Sequence, residues 1–490
     1  MIFGNRFQLR NALYILVAAL GLVACATRPV NQSIGGPVAY DATSRDFYAE
    51  KRNDKTIVAL AFSGGGTRAA AFSYGVLETL RDTALAEKNG QHSRLLDRVD
   101  VIAGVSGGSF TALAYRLYGD SLFDVYEHDF LKRDIQGELI AGVFNPFNWN
   151  NFGSDGLASA EMAANLYDKV LFKGATFSDL ANISGPLTAV SATDIKTGSR
   201  ILFTESDFNV LCTDLKSFRI ARAAAASSAV PIIFAPITIN NYSGTCGLEN
   251  PSWINFYKDK SRMPRAAAKV MARVNTIENL RSKDNPYLHL VDGGVSDNLG
   301  LRSLLDVLYS LEAMREAGFK TKLDSAERIV VFTVNSQTSP QLDWNKHEPG
   351  PNLVSLMIQS AGVPIDANSS EQMSDLRDIA TRWRLQNAIK ATPEFKKILK
   401  KYPDMDAAKL INLTPNAEVY IVNVAFSEVE DKEERDYLNN LPTSFVLEPE
   451  QVDRLRSSAR QVLLQSPEFQ RLMHDLNATV ATPAKHEVTQ

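Results

Sequence analysis

The chain has 490 residues, 45% of them hydrophobic and 22% charged, with a formal net charge of −4. That balance belongs to a folded globular protein and excludes a disordered or fibrous chain. The slight acidity, with no long basic stripe, argues against nucleic acid as a partner. No repeat at a period of roughly 20 to 50 residues marks a solenoid.

The first 25 residues stand apart. Arg6 and Arg10 precede the apolar run A-L-Y-I-L-V-A-A-L-G-L-V-A at 12–24, which is short for a membrane-spanning helix. A basic segment followed by a short apolar one is the layout of a secretory signal, here 1–24. The run closes on Leu22, Val23, Ala24 and Cys25, which resembles the bacterial lipoprotein signal. That resemblance implies cleavage before Cys25 and acylation of its thiol. Ala26 follows rather than aspartate, so it also implies an outer-membrane anchor facing the periplasm. A plain signal peptide or a short membrane anchor is the alternative. Residues 25–52 are polar and dotted with proline and glycine, and are expected to be the lipidated N-terminus and a tether.

The body opens with T-I-V-A-L-A-F at 56–62, a continuous apolar run of the kind buried on both faces of a sheet. S-G-G-G-T-R follows, and Ala69, Phe72, Val76, Leu77 and Leu80 then recur at helical spacing. The order repeats at once. An apolar strand at 99–105 runs into S-G-G, and Phe110, Leu113, Ala114 and Leu117 mark a helix. Such alternation predicts an α/β fold with a mainly parallel sheet. Further strands are expected at 186–192, 200–203, 287–291, 329–334 and 419–424. Helices are expected near 217–229, 301–316, 371–390 and 449–477, the last broken or kinked at Pro467. One domain over 53–320 is expected, with a C-terminal α/β part at 321–476 packed on it and a loose tail at 477–490.

Three glycine-rich stretches carry chemistry. In V-I-A-G-V-S-G-G-S-F at 101–110, Ser106 stands between Gly104 and Gly108, at a strand-to-helix junction. A nucleophile elbow needs that context: the turn strains the serine, exposes its hydroxyl, and sets the helix N-terminus behind a developing oxyanion. An ordinary glycine turn is the alternative. A-F-S-Y-G at 71–75 has the same spacing but no strand before it, so Ser73 reads as a helix residue. Gly64, Gly65 and Gly66 lack the Lys-Ser/Thr that completes a phosphate loop. They suit an oxyanion hole instead, since consecutive N–H groups stand clear of side chains. Arg68 either adds positive charge there or ties the loop down. Asp292 ends a predicted strand before Gly293 and Gly294. It is either a general base for Ser106 or a turn aspartate capping the next helix.

The rest of the chain offers less. None of the six histidines carries a motif, and strand alternation puts His289 on the face opposite Asp292. Cys212 and Cys246 either pair in an oxidising compartment or stay reduced. Without C-x-x-C or H-E-x-x-H, no metal site is signalled. Phe144, Phe147, Trp149 and Phe152 crowd one stretch that either packs on the body or enters a membrane interface. Lys396, Lys397, Lys400 and Lys401 read as a solvated helix face, with anionic headgroups as the alternative. Residues 244–285 interrupt the pattern where a lid has room to form.

In this order, G-G-G-T-R at 64–68, G-V-S-G-G at 104–108 and D-G-G at 292–294 resemble the three signatures of the patatin-like phospholipases. A-A-A-A-S-S-A-V-P-I-I-F-A-P at 223–236 resembles the family segment that precedes the D-G-G strand. The likeness spans about 56–301. It implies a three-layer α/β/α fold and hydrolysis of acyl esters of phospholipids or other lipids. It also implies a Ser-Asp dyad without histidine, metal or cofactor. Carried over, Ser106 is the nucleophile and Asp292 the base. Gly64, Gly65 and Gly66, with Gly107, form the oxyanion hole, and Arg68 is the basic position contacting substrate. Where the family usually has glycine after that basic residue, this chain has Ala69. The alternatives are an acyltransferase with the same dyad and a non-catalytic lipid-binding envelope lipoprotein.

Overall fold

The computed structural model describes residues 28–37, 55–86, 92–144, 160–231, 233–249, 252–258, 265–280, 284–339, 344–346, 348, 350–351, 353–402, 405, 409 and 411–481. The strands are β1 (Thr56–Phe62), β2 (Thr83–Ala86), β3 (His92–Arg94), β4 (Val99–Val105), β5 (Leu187–Asp194), β6 (Arg200–Leu202), β7 (Ile237–Asn240), β8 (Tyr287–Asp292), β9 (Arg328–Asn335), β10 (Glu418–Ala425) and β11 (Ala478–Val480). The helices nearest the argument of the fold are α1 (Gly66–Arg81), α2 (Gly107–Tyr118), α3 (Ala160–Tyr167), α4 (Ile220–Ser227), α5 (Arg265–Leu280), α6 (Leu301–Glu316), α7 (Leu353–Ala391), α8 (Pro449–Gln465) and α9 (Pro467–Asp475).

The main sheet runs β10-β9-β1-β4-β5-β8-β7, with β6 beside β5. β10, β9, β1, β4 and β5 are mutually parallel, and β6, β7 and β8 pair antiparallel. β1 shows why the strand is apolar throughout. Side chains alternate between faces, so Val58, Leu60 and Phe62 join a core with α1, α2, α4 and α8, while Ile57, Ala59 and Ala61 join a second core with α5, α6 and α7. Helices thus cover both faces, and the fold is the expected three-layer α/β/α with a mostly parallel sheet. β9 lies along the whole of β1, from Thr56 opposite Arg328 to Phe62 opposite Val334. The chain after residue 320 therefore completes the same sheet.

Several local expectations are corrected. α7 begins at Leu353, well before 371, because Gly362 and Pro364 interrupt the helical pattern without ending the helix. Residues 28–37 are not a free tether. The Asn31 amide donates to Asn240 O at 2.9 Å and accepts from Asn240 N at 2.7 Å, covering the open edge of β7. Ile34 N also donates to Cys212 O at 2.9 Å. The tail is not wholly loose either, for β11 pairs with β2 in a small sheet of order β11-β2-β3. The 244–285 segment is not a lid where it is described. α5 buries Ala266, Ala267 and Val270 in the second core, and Tyr257 Oη donates to Ala313 O at 2.7 Å. Pro467 separates α8 from α9, and Ser466 caps the second helix. The lysine cluster lies on Pro393–Lys401, a helix that buries only Phe395. Cys25 and the aromatic residues Phe147, Trp149 and Phe152 fall outside the described residues. Among the described residues, no helix is long and apolar enough to cross a membrane.

Candidate active site

β4 delivers Ser106 to the start of α2 with φ 48° and ψ −120°, a conformation that side chains rarely accept. Neighbouring bonds hold it there. Its N–H donates to Ser227 Oγ at 2.9 Å. Its carbonyl accepts from Ser109 N at 3.0 Å and Ser109 Oγ at 2.6 Å. The turn lies against the loop after β1 so closely that a Cβ on Gly108 would stand 2.6 Å from Ser63 O. Glycine at that place is required by contact with another backbone, not by the turn alone.

Ser106 Oγ donates to Asp292 Oδ2 at 2.8 Å. Both side chains are buried, 5% and 7% exposed. Asp292 also serves in the turn that follows it: its Oδ1 accepts from Gly294 N at 2.7 Å. The two readings of this aspartate are therefore both realised, one on each oxygen. Burial raises its carboxyl from the ordinary 3.8 to about 6, against the opposing pull of the Gly294 and Ser106 hydrogen bonds. His289 is exposed and its Nδ1 lies 2.9 Å from Thr238 Oγ1, so it takes no part in the pair.

The glycine loop after β1 faces this pair, but its residues divide by role. Gly64 N donates to Asn298 O at 2.9 Å, so Gly64 is removed from the set of free donors. The N–H groups of Gly65, Gly66 and Gly107 meet no protein acceptor among the described residues. Gly65 and Gly66 have φ of 138° and 61°, and Gly107 touches Gly66 closely enough that a Cβ on it would lie 2.0 Å from Gly66 O. Two segments distant in sequence thus meet backbone to backbone beside Ser106.

Arg68 does not reach out to a substrate. It is 3% exposed, and its Nε donates to Ser336 O at 2.9 Å and its Nη1 to Leu441 O at 2.7 Å. Burial lowers its pKa to about 10. It ties the loop to two others, and Thr67 N adds a bond to Ser444 O at 2.9 Å. Replacing Arg68 with methionine keeps the apolar stem and removes both charged donors. The expected result is a loss of about 3 kcal/mol of stability, read from the urea midpoint at unchanged slope, with kcat falling and KM little altered. A raised KM at full stability would return Arg68 to a substrate contact.

Near Asp292, Tyr167 belongs to an aromatic cluster of the core. The Tyr167 and Phe110 rings meet edge to face at 4.7 Å, and Phe445 lies 6.1 Å from Tyr167 and 6.4 Å from Phe234. Burial, and to a lesser degree the Asp292 charge, push the Tyr167 phenol well above its ordinary value. Away from the pair, Cys212 and Cys246 form a disulfide with a Cα–Cα distance of 5.5 Å. Ser227, Asn298, Ser336 and Ser444 went unassigned from sequence. Only Ser227 left a trace, in the small-residue run at 223–236.

Residues 60–305 match the family described as patatin-like phospholipase. No curated protein matches the chain. Among solved structures, human GIVD cytosolic phospholipase A2 is 15% identical over 61% of this chain and 48% of that one, with a TM-score of 0.33. Its complex with methyl gamma-linolenyl fluorophosphonate is 12% identical over 89% and 62%, with a TM-score of 0.37. The chain thus spans about half to three-fifths of the length of the structures it matches. β9, β10 and the loops that hold Arg68 lie outside the family match.

Proposed function

The chain belongs to the patatin-like phospholipase family, a family of lipid acyl hydrolases, and on that premise we propose that Ser106 and Asp292 cleave fatty-acyl esters of phospholipids or related lipids through an acyl-enzyme. Ser106 Oγ attacks the ester carbonyl as its proton passes to Asp292 Oδ2. The amides of Gly65, Gly66 and Gly107 take the oxyanion. Asp292 returns the proton to the departing alkoxide and leaves the acyl group on Ser106. A water molecule then attacks, Asp292 takes its proton and returns it to the departing Ser106 Oγ, and the fatty acid is released with the dyad restored.

The observation that carries this reading is the 2.8 Å bond between a serine in a strained elbow and a buried carboxylate. A carboxylate is a weak base toward serine, and burial brings it closer to the working range. The same proposal places the enzyme in the bacterial envelope, anchored through acylated Cys25 to the periplasmic side of the outer membrane.

A lipid-like fluorophosphonate asks for an activated serine without assuming a substrate. The detergent-solubilised full chain is expected to take up one phosphonate per molecule, mapped by mass spectrometry to Ser106. Release of fatty acid from phospholipid vesicles then defines the hydrolase. Transfer to an added lysophospholipid in place of water would make it an acyltransferase. Folded protein that takes up no phosphonate would point to a lipid-binding lipoprotein.

A further inference from the structure

Resting on the dyad reading above, we infer that Ser227 is a positioning residue, which holds the nucleophile through its side chain and the segment of the base through its carbonyl. Ser227 is the last residue of α4 and is fully buried, 0% exposed. Its Oγ accepts the N–H of Ser106 at 2.9 Å. Its carbonyl accepts the N–H of Gly293, next to Asp292, at 3.0 Å. Two residues on, Ala229 O accepts the N–H of Asp292 itself at 2.9 Å. The end of α4 therefore grips both halves of the pair, and Ser227 touches the two sides.

The hydroxyl answers a specific need. Ser106 has φ 48°, and its amide is buried at a helix start, where no intrahelical acceptor exists. Without an outside acceptor that amide would be unsatisfied, and the strained turn would lose one of its restraints. The bond also takes the Ser106 N–H out of the oxyanion donors, which leaves that task to Gly65, Gly66 and Gly107. Ser228 shows the contrast. Its Oγ donates back into its own helix, to Ala224 O at 2.8 Å, and makes no hydrogen bond to Ser106 or Asp292 among the described residues.

The grip is itself fixed from behind. Arg222, 3% exposed, holds Glu161 of α3 through Nε at 2.8 and 3.0 Å and Nη2 at 2.6 Å. The same Nη2 donates to Thr238 O of β7 at 2.9 Å. α4 is thereby locked to α3 and to the sheet edge, and the position of Ser227 follows from that lock.

The test compares Ser227→Ala, Ser227→Cys, Ser227→Thr and Ser228→Ala in the full chain, by fluorophosphonate labelling rate, ester hydrolysis and thermal melting. Ser227→Ala is expected to slow labelling and kcat together by about 100-fold, with KM within twofold. The activity should still rise with pH near 6, because Asp292 stays the base. Ser227→Cys keeps the volume with a weaker acceptor, so it should fold and still lose at least tenfold. Ser227→Thr should restore most of the rate, and Ser228→Ala should label as the wild type does. Wild-type labelling in folded Ser227→Cys or Ser227→Ala would overturn the inference. So would equal losses in Ser227→Ala and Ser228→Ala that track their melting temperatures. An unlabelled wild type would instead overturn the dyad, and Ser227 with it.

Discussion

Ser106→Ala and Asp292→Asn are each expected to lower kcat/KM for ester hydrolysis by about 1,000-fold or more, and the double variant no further than the worse single one. In the proposed mechanism both residues act in one proton transfer, so removing either removes the step. The wild-type rate should climb as pH rises through about 6, the value to which burial lifts Asp292, because only the charged carboxylate accepts the serine proton. Residual activity in Asp292→Asn should lack that limb. A limb left unmoved by the substitution would assign the base elsewhere.

The same carboxylate has a stability cost whose sign runs against function. Its folded pKa, about 6, lies above its ordinary value of 3.8. The stabilising contribution of the protonated form is complete below the ordinary value and is lost as pH rises through the folded one. At neutral pH the buried charge therefore costs about 3 kcal/mol. The amide introduced by Asp292→Asn would keep an oxygen for the Gly294 N–H and turn its NH2 toward Ser106. This variant is accordingly expected to melt at a higher temperature than the wild type at pH 7.5, and to lose that advantage near pH 4. A gain in stability with a loss of rate is the signature of a site held away from its most stable state.

Gly107→Ala should damage the proposed oxyanion hole without touching the Ser106–Asp292 pair. A Cβ at this position would stand 2.0 Å from Gly66 O and 2.7 Å from Gly66 C. Backbone is on both sides, so relief requires the two segments to separate. Gly66 has little room to retreat, since a Cβ there would already meet Ser444 O at 2.3 Å and Thr67 N is bonded to the same carbonyl. The amides would then no longer converge. The expected loss is about 100- to 1,000-fold in kcat, with the pH limb retained and stability lowered by about 1–3 kcal/mol. Stopped-flow or burst kinetics with an activated ester would place the loss in acylation. A Gly107→Ala enzyme with wild-type kcat would remove this pair of segments from the oxyanion site.

What the sequence disclosed follows from how strongly each position is constrained. β1 and β4 are legible because a strand buried on both faces is apolar at nearly every residue, with only Thr56 and Asp100 polar in the two. Ser106, Gly107 and Gly108 are legible because the elbow excludes almost every other residue type. Asp292 is legible through the two glycines after it. The duties of Gly64 and Arg68 are not legible, for both depend on partners supplied by main-chain groups. Gly64 gives its amide to the carbonyl of Asn298, and Arg68 is satisfied by the carbonyls of Ser336 and Leu441. Every residue owns a carbonyl, so such a partner leaves no mark in the side-chain pattern. The docking of residues 28–37 escaped for a similar reason: one asparagine amide imitates a neighbouring strand. β2, β3 and β11 are too short for alternation to declare them.

The dependence of the glycine loop on Ser336, Leu441 and Ser444 has a consequence in time. A growing chain on the ribosome completes Asp292 about 150 residues before Ser444. At about 5–20 residues per second, that interval lasts roughly 8–30 s. β9 and Ser336 arrive early in it, but until its end the loop lacks the carbonyls of Leu441 and Ser444 that hold Arg68 and Thr67. The nascent chain therefore carries Ser106 and Asp292 together for about 150 residues of synthesis before the loop beside them is held in place.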